Sequence, residues 1–270
     1  MLPLIFHLQD TDTLSVSLIS TSQCTDLPHG PKKRVNQTLF LLGHSCWSYL
    51  ISKLTGRQLH VNLPAWLAFL SGILPDFDIY FRPILAHHTW THSILILLPI
   101  SLLLSIRFGR LGIAFSTGIL SHLLTDSLVG TIPILYPFSN IAIGLNLGIP
   151  SLADTTLETG ALLAVLLLAY NNKDYLQITR PNKKSLWLIV PLYALITISV
   201  LFAGDNGISL ASFAFSRKAL TLITIGHAIL AGLLTLGVLQ GTRAVISTMR
   251  HPKPAEPNDP TPAPTPTTKP

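Results

Sequence analysis

SLWLIVPLYALITISVLFA (185–203) and ALTLITIGHAILAGLLTLGVLQ (219–240) contain no Asp, Glu, Lys or Arg. Each is close to the roughly 20 apolar residues that a helix needs to cross the hydrocarbon core of a bilayer. Backbone in that medium must satisfy its own hydrogen bonds, so such runs read as spanning helices. Shorter apolar segments precede them, at 62–74, 94–106, 111–125 and 157–170, and 38–54 reads as a more amphipathic helix. The shorter ones span only with tilt or with help from their flanks. The pattern predicts an all-α polytopic membrane bundle of about seven helices, five or six of them crossing the bilayer.

Composition agrees. Of 270 residues, 11% are charged and 49% hydrophobic, with a mean hydropathy of +0.51. Soluble domains carry about 25% charged residues, so this chain cannot clothe an ordinary solvated surface. The net charge of +6 does not indicate a nucleic-acid partner, because basic loops also set membrane topology. Cys24 and Cys46 form no CxxC and no disulfide framework.

Four parts follow from the pattern. Residues 1–36 read as an N-terminal extension, disordered or created by a mis-assigned start, since Val35 can serve as an initiator. Residues 37–150 carry the chemistry-bearing motifs, and 151–242 are C-terminal transmembrane helices. Residues 243–270 end in HPKPAEPNDPTPAPTPTTKP, a Pro/Thr-rich tail that cannot pack a core. With helices alternating in direction, one set of loops holds Lys53, Arg57, Arg107, Arg110, Lys173, Arg180, Lys183, Lys184, Arg243, Arg250 and Lys253. The other holds Arg82, Arg217 and Lys218, with Lys32, Lys33 and Arg34 if the extension exists. The richer set is expected in the cytoplasm, which puts 75–91 and 127–151 outside.

Acids in an apolar bundle are costly and usually functional. Between 36 and 153 there are three, Asp76, Asp78 and Asp126, and each adjoins a histidine-bearing motif. His122 and Asp126 in GILSHLLTD are four apart, so both lie on one helix face. They suit either a shared divalent metal or an intrahelical hydrogen bond. Asp76 and Asp78 in GILPDFD follow a helix-ending proline, and serve either a cation or backbone capping. His87, His88 and His92 in HHTWTHS precede the apolar run from Ile94, with Trp90 placed as a headgroup anchor. His44 in LLGHSCW stands alone on its helix. Alternating helix direction returns these motifs to one membrane face, as a multi-residue metal site requires. His227 reads as a helix–helix hydrogen bond. Asp154 and Glu158, at a helix start, read as structural.

Taken together, GH (43–44), LPDFD (74–78), HHTWTHS (87–93) and GILSHLLTDSLVGTIPILYPFS (118–139) resemble the YdjM-like family of membrane-bound metal-dependent hydrolases. That family is in turn similar to zinc-dependent phospholipase C. The resemblance implies zinc held by His44, Asp76, His92, His122 and Asp126, with Asp78 and His87 close by. Two positions depart from the family pattern. His88 stands where Arg is common, and Ile79 and Tyr80 follow the second Asp where His or Pro is common.

The expected function is a membrane-embedded metal-dependent hydrolase acting on a phosphoester or other amphiphile at the extracytoplasmic face of the cytoplasmic membrane. Asp76 or Asp78 would bridge metals or accept a proton from water, and His87 or His88 would protonate the leaving group. Asp78, His87 and His88 are thus the catalytic candidates, with Asp78 also a ligand candidate. A membrane lipid or amphiphile is the expected partner. The alternatives are a non-catalytic metal-binding regulator and a metal-ion transporter.

Overall fold

The computed structural model describes residues 41–81, 84–145, 147, 151–205 and 217–250. The extension expected over 1–36 and the tail from 251 onward lie outside these residues. The described chain is helical: α1 (Leu41–Gln58), α2 (Ala65–Ser71), α3 (Ile94–Phe108), α4 (Arg110–Val129), α5 (Leu152–Asn171), α6 (Tyr175–Thr179), α7 (Ile189–Asp205) and α8 (Arg217–Arg250). Short 3-10 helices run over Leu74–Phe81, Trp90–His92 and Lys183–Leu188.

Among the described residues, α4, α5 and the Thr221–Arg250 part of α8 are long and apolar enough to cross a membrane. That is three, against the five or six expected. The difference lies in helix length. At 1.5 Å per residue, the 15 residues of α3 reach about 22 Å, short of a hydrocarbon core of about 30 Å. The 185–203 run is divided, because Lys183–Leu188 is a 3-10 turn and α7 begins only at Ile189. Conversely, α8 continues to Arg250, so residues 243–250, expected in the tail, are helix.

α1 is the hub. It packs on α2, α4, α5, α7 and α8, and Leu42, Cys46, Tyr49, Ser48 and Ser52 are all fully enclosed. Its serines explain how a segment that reads as amphipathic comes to be central. Small hydroxyl side chains let helices approach closely and bond across the gap in apolar surroundings. Ser48 Oγ donates to the Gly118 carbonyl at 3.1 Å and lies 3.1 Å from Ser121 Oγ on α4. A Cβ at Gly118 would stand 2.1 Å from Ser71 Oγ, so α1, α2 and α4 meet where only glycine fits. At its far end, Lys53 Nζ and the Tyr49 hydroxyl both reach the Asp174 carboxylate just after α5, at 2.7 and 2.6 Å.

α3 and α4 form a tight hairpin through Gly109, whose φ of +56° suits glycine. A Cβ on Gly112 would meet the Leu104 carbonyl at 2.1 Å, so close approach of the two arms depends on glycine again. The hairpin returns the C-terminal turns of α4 to the start of α3.

Candidate metal centre

Five elements converge where α4 ends. α1 supplies His44, and α4 supplies His122 and Asp126 one turn apart. The turn after α2 supplies Asp76 and Asp78, and the short turn before α3 supplies His92. The connection between those turns supplies His87 and His88. Gly72 sets the register of the acidic turn. Its missing Cβ would lie 2.2 Å from the His44 carbonyl, so the chain leaving α2 runs hard against α1 and enters the 3-10 turn beside the histidines. Asp76 and Asp78 therefore sit on a tight helical turn and not on an extended strand. Asp76 faces His92 and His122, and Asp78 faces His87 and Thr91.

The donor atoms are closely spaced. His92 Nε2 and His122 Nε2 are 3.0 Å apart. Asp76 Oδ1 lies 3.3 Å from the former and 3.5 Å from the latter. Asp126 Oδ2 lies 3.3 Å from His122 Nε2 and 3.5 Å from His92 Nε2, and Asp126 Oδ1 lies 3.2 Å from His44 Nε2. The His44 and His122 rings stack at 3.9 Å. His92, His122 and Asp126 have no solvent exposure at all.

Hydrogen bonding fixes which ring nitrogens point inward. His122 Nδ1 is 2.7 Å from the Gly72 carbonyl, which only accepts, so Nδ1 carries the proton. Thr125 Oγ1 donates to the carbonyls of Ser121 and His122 and therefore accepts from His44 Nδ1 at 3.0 Å. Thr91 Oγ1 donates to Asp78 Oδ2 at 2.7 Å and therefore accepts from His92 Nδ1 at 2.9 Å. In the neutral, metal-binding form of the three rings, with Nδ1–H committed outward, the Nε2 lone pairs face one another and two carboxylates. Both Asp126 oxygens are buried without a well-formed hydrogen bond among the described residues, as they must be if no N–H points at them. Lone pairs and carboxylates at this spacing repel unless a cation lies between them, and outer hydrogen bonds of this kind are how metal-binding imidazoles are oriented. Among the described residues, four overlapping sets have donor atoms spaced as a metal ion requires: His44, Asp76 and His122; His92, His122 and Asp126; Asp76, Asp78 and His87; and His87, His88 and His92.

Burial alone would raise the Asp76 carboxyl, but the imidazoles of His122, His92 and His44 hold it below the usual carboxylate range. Burial pushes the His92 imidazole down, against the opposing pull of Asp76. Burial, then His87 and His92, push His88 down. Asp76 is thus ionised and both rings are neutral near pH 7, the forms in which they ligate.

The structure brings together all the residues singled out in the sequence as ligands. The catalytic candidates Asp78, His87 and His88 line the side towards the 84–92 connection. His87 Nδ1 donates to Asp78 Oδ1 at 2.9 Å, and the His88 ring, at a φ of +61°, packs on His87 at 3.7 Å. Thr91, Thr125 and Gly72 are the orienting groups that sequence reading passed over, although each lies in or next to a quoted motif. His227 is elsewhere, accepting from the Leu42 N–H at 3.2 Å, as a helix–helix contact. Asp154, in the first turn of α5, and Glu158, one turn further on, are both enclosed.

Neither the curated proteins nor the solved structures contain a match to this chain. The model of the family described as YdjM inner membrane protein matches residues 36–206, well over half of the chain and all of the centre. With the four motifs folded into a single buried His/Asp cluster at the end of a membrane-length helix, the chain belongs to the YdjM inner membrane protein family.

Proposed function

We propose that this chain is a membrane-embedded metal-dependent hydrolase, with zinc as its metal and a phosphoester or related amphiphile at the bilayer face as its substrate. The observation that carries the reading is the orientation of His44, His92 and His122, each with Nδ1–H committed outward and Nε2 turned inward. Zinc binds imidazole nitrogen and carboxylate oxygen at about 2.0–2.2 Å, and inward atoms separated by 3.0–3.5 Å match that donor chemistry. When bound, it supplies hydroxide near neutral pH and polarises a phosphoryl oxygen.

The chain's own residues do the rest. Asp78 accepts from His87 and Thr91 at once, so it orients both histidine arms and lies beside Asp76 as a proton acceptor. His87, on the side towards the connection, is placed to protonate a leaving group, and the neutral His88 ring packs against it at 3.7 Å. A transporter would hold its ligands near mid-membrane. Here the ligands lie in the last turns of α4 and in short turns outside the helices, which supports an interfacial enzyme. On this reading α3, whose Leu98, Leu102, Leu103 and Ile106 are exposed, and α7 also lie within the bilayer, giving five crossings with the site on the extracytoplasmic side.

Metal analysis of the purified protein, followed by a phosphoester panel, tests this. Bound zinc with turnover that chelation abolishes is the expected result. Zinc without turnover would favour a regulator, and zinc flux into proteoliposomes a transporter.

A further inference from the structure

The segment between α4 and α5 carries no Asp, Glu, Lys, Arg or His from Gly130 to Ser151. A connection of that length facing water would normally carry charge. Instead it displays large apolar side chains: Phe138 is 89% exposed, Ile141 74% and Leu145 67%. Ile84, Trp90 and Leu135 add exposed apolar surface.

The part of this segment from Gly130 to Leu145 is held in place. Ile132 and Ile143 exchange both backbone bonds, at 3.0 and 2.9 Å, closing the loop at its neck. Gly130 N–H donates to the Asp126 carbonyl at 2.8 Å, and Leu145 N–H to the Ser127 carbonyl at 2.8 Å. On the other side, Ile94 N–H donates to the Ile134 carbonyl at 2.9 Å, and Ser93 Oγ donates to the Tyr136 carbonyl at 2.6 Å. Trp90 stands edge-on to Tyr136 at 5.3 Å. The loop is therefore fastened to the residues that immediately follow His92 and Asp126, while Phe138 and Ile141 stay exposed at its tip.

We propose that this loop, with Ile84 and Trp90, is a rim embedded in the bilayer leaflet at the metal-centre face, and that the substrate is a lipid phosphoester drawn from that leaflet. The lipid occupant is argued from continuity. The rim joins two helices of membrane-spanning length, and their exposed apolar surface runs into it through Leu124 on α4 and Leu152 on α5. Trp and Tyr sit by preference at the headgroup level, where Trp90 and Tyr136 would be, with Phe138 and Ile141 deeper among the acyl chains. An apolar surface of this kind otherwise marks a contact site. The substrate half rests on the hydrolase reading; the rim half does not.

The test uses full-length protein in phosphatidylethanolamine/phosphatidylglycerol vesicles, with Cys24 and Cys46 replaced by Ser. A fluorophore on Ile141→Cys should be quenched by acyl-chain spin-labelled lipid and shielded from aqueous iodide, whereas one on Lys184→Cys should show the reverse. Iodide quenching at position 141 overturns the rim whatever the activity. For the substrate, the ratio of turnover on a vesicle-borne lipid phosphoester to turnover on soluble bis(p-nitrophenyl) phosphate should fall about tenfold or more in Phe138→Ser/Ile141→Ser, at parental metal content. An unchanged ratio overturns the lipid assignment while leaving the hydrolase reading intact. If the parent protein turns over neither compound, the hydrolase reading and the substrate half fall together, and quenching alone decides the rim.

Discussion

Each inward-facing imidazole depends on an outward acceptor, so the centre is sensitive to residues that would never touch a metal. Thr125→Val keeps shape but removes the oxygen that accepts from His44 Nδ1. Loss of such an outer partner commonly costs 10- to 100-fold in metal affinity, and competition with a chromophoric chelator should show a drop of about that size. His122→Ala and Asp126→Ala should lose metal outright, because each removes an inward donor atom, while His227→Ala should retain it. Unchanged stoichiometry and affinity in His122→Ala and Asp126→Ala would leave an intrahelical hydrogen bond as their role. Asp78→Asn should keep metal, since an amide oxygen can still accept from Thr91, yet lower turnover by about 10²–10⁴-fold, as for other acid–base groups. The ligand candidates were legible in the sequence because acids are so scarce between residues 36 and 153 that each one stands out. Thr91 and Thr125 were not, since their role follows from which neighbour takes their single proton, and that is a property of the folded geometry.

At the level of elements, glycine sets the distances on which the site depends. Gly72→Ala puts a methyl 2.2 Å from a backbone carbonyl of α1, so the acidic turn must move and the Gly72 carbonyl must leave His122 Nδ1. Overpacking of this kind costs about 1–3 kcal/mol. The variant should melt earlier in detergent and lose metal in parallel, whereas a lower melting temperature with full metal content would separate the turn from the centre. Leu120→Arg tests whether α4 is a membrane helix. Arg near a helix centre costs about 2.5–3.5 kcal/mol on the insertion scale, so membrane-inserted yield should fall sharply, and a normal yield would argue that this segment lies outside the bilayer. The longer helices were legible from the apolar runs. The hub position of α1 was not. Amphipathic reasoning sends serines to water, but in a membrane bundle they line the tightest helix contact, as Ser48 does against Gly118 and Ser121. The division of 185–203 into a 3-10 turn and α7 was equally hidden, because composition does not distinguish the two.

Over the whole molecule, charge separates the two ends of the bundle. His44 lies near the start of α1, whereas Lys53, further along the same helix, pairs with Asp174 at the far end of α5. Near that far end, Arg180, Lys183 and Lys184 border a groove of about 600 Å³ between the α6 region and the last turns of α8. The metal-centre end instead carries the uncharged stretch from Gly130 to Ser151. Basic residues are retained on the cytoplasmic side, so this asymmetry predicts an orientation with the basic groove inside and the His/Asp centre outside. Single-cysteine labelling of intact cells reads it directly, provided that the probes avoid the apolar rim, where a water-soluble reagent would fail for reasons unrelated to sidedness. Ala86 meets that condition, being exposed on the connection that carries His87, and Lys184 serves for the opposite end. A membrane-impermeant maleimide should modify Ala86→Cys in intact cells and reach Lys184→Cys only after the cells are opened. The reverse pattern would turn the bundle over and give the centre a cytoplasmic leaflet to work on. The hydrogen bonds that aim His44, His92 and His122 inward would be unaffected, because none of them depends on which compartment lies beyond the rim.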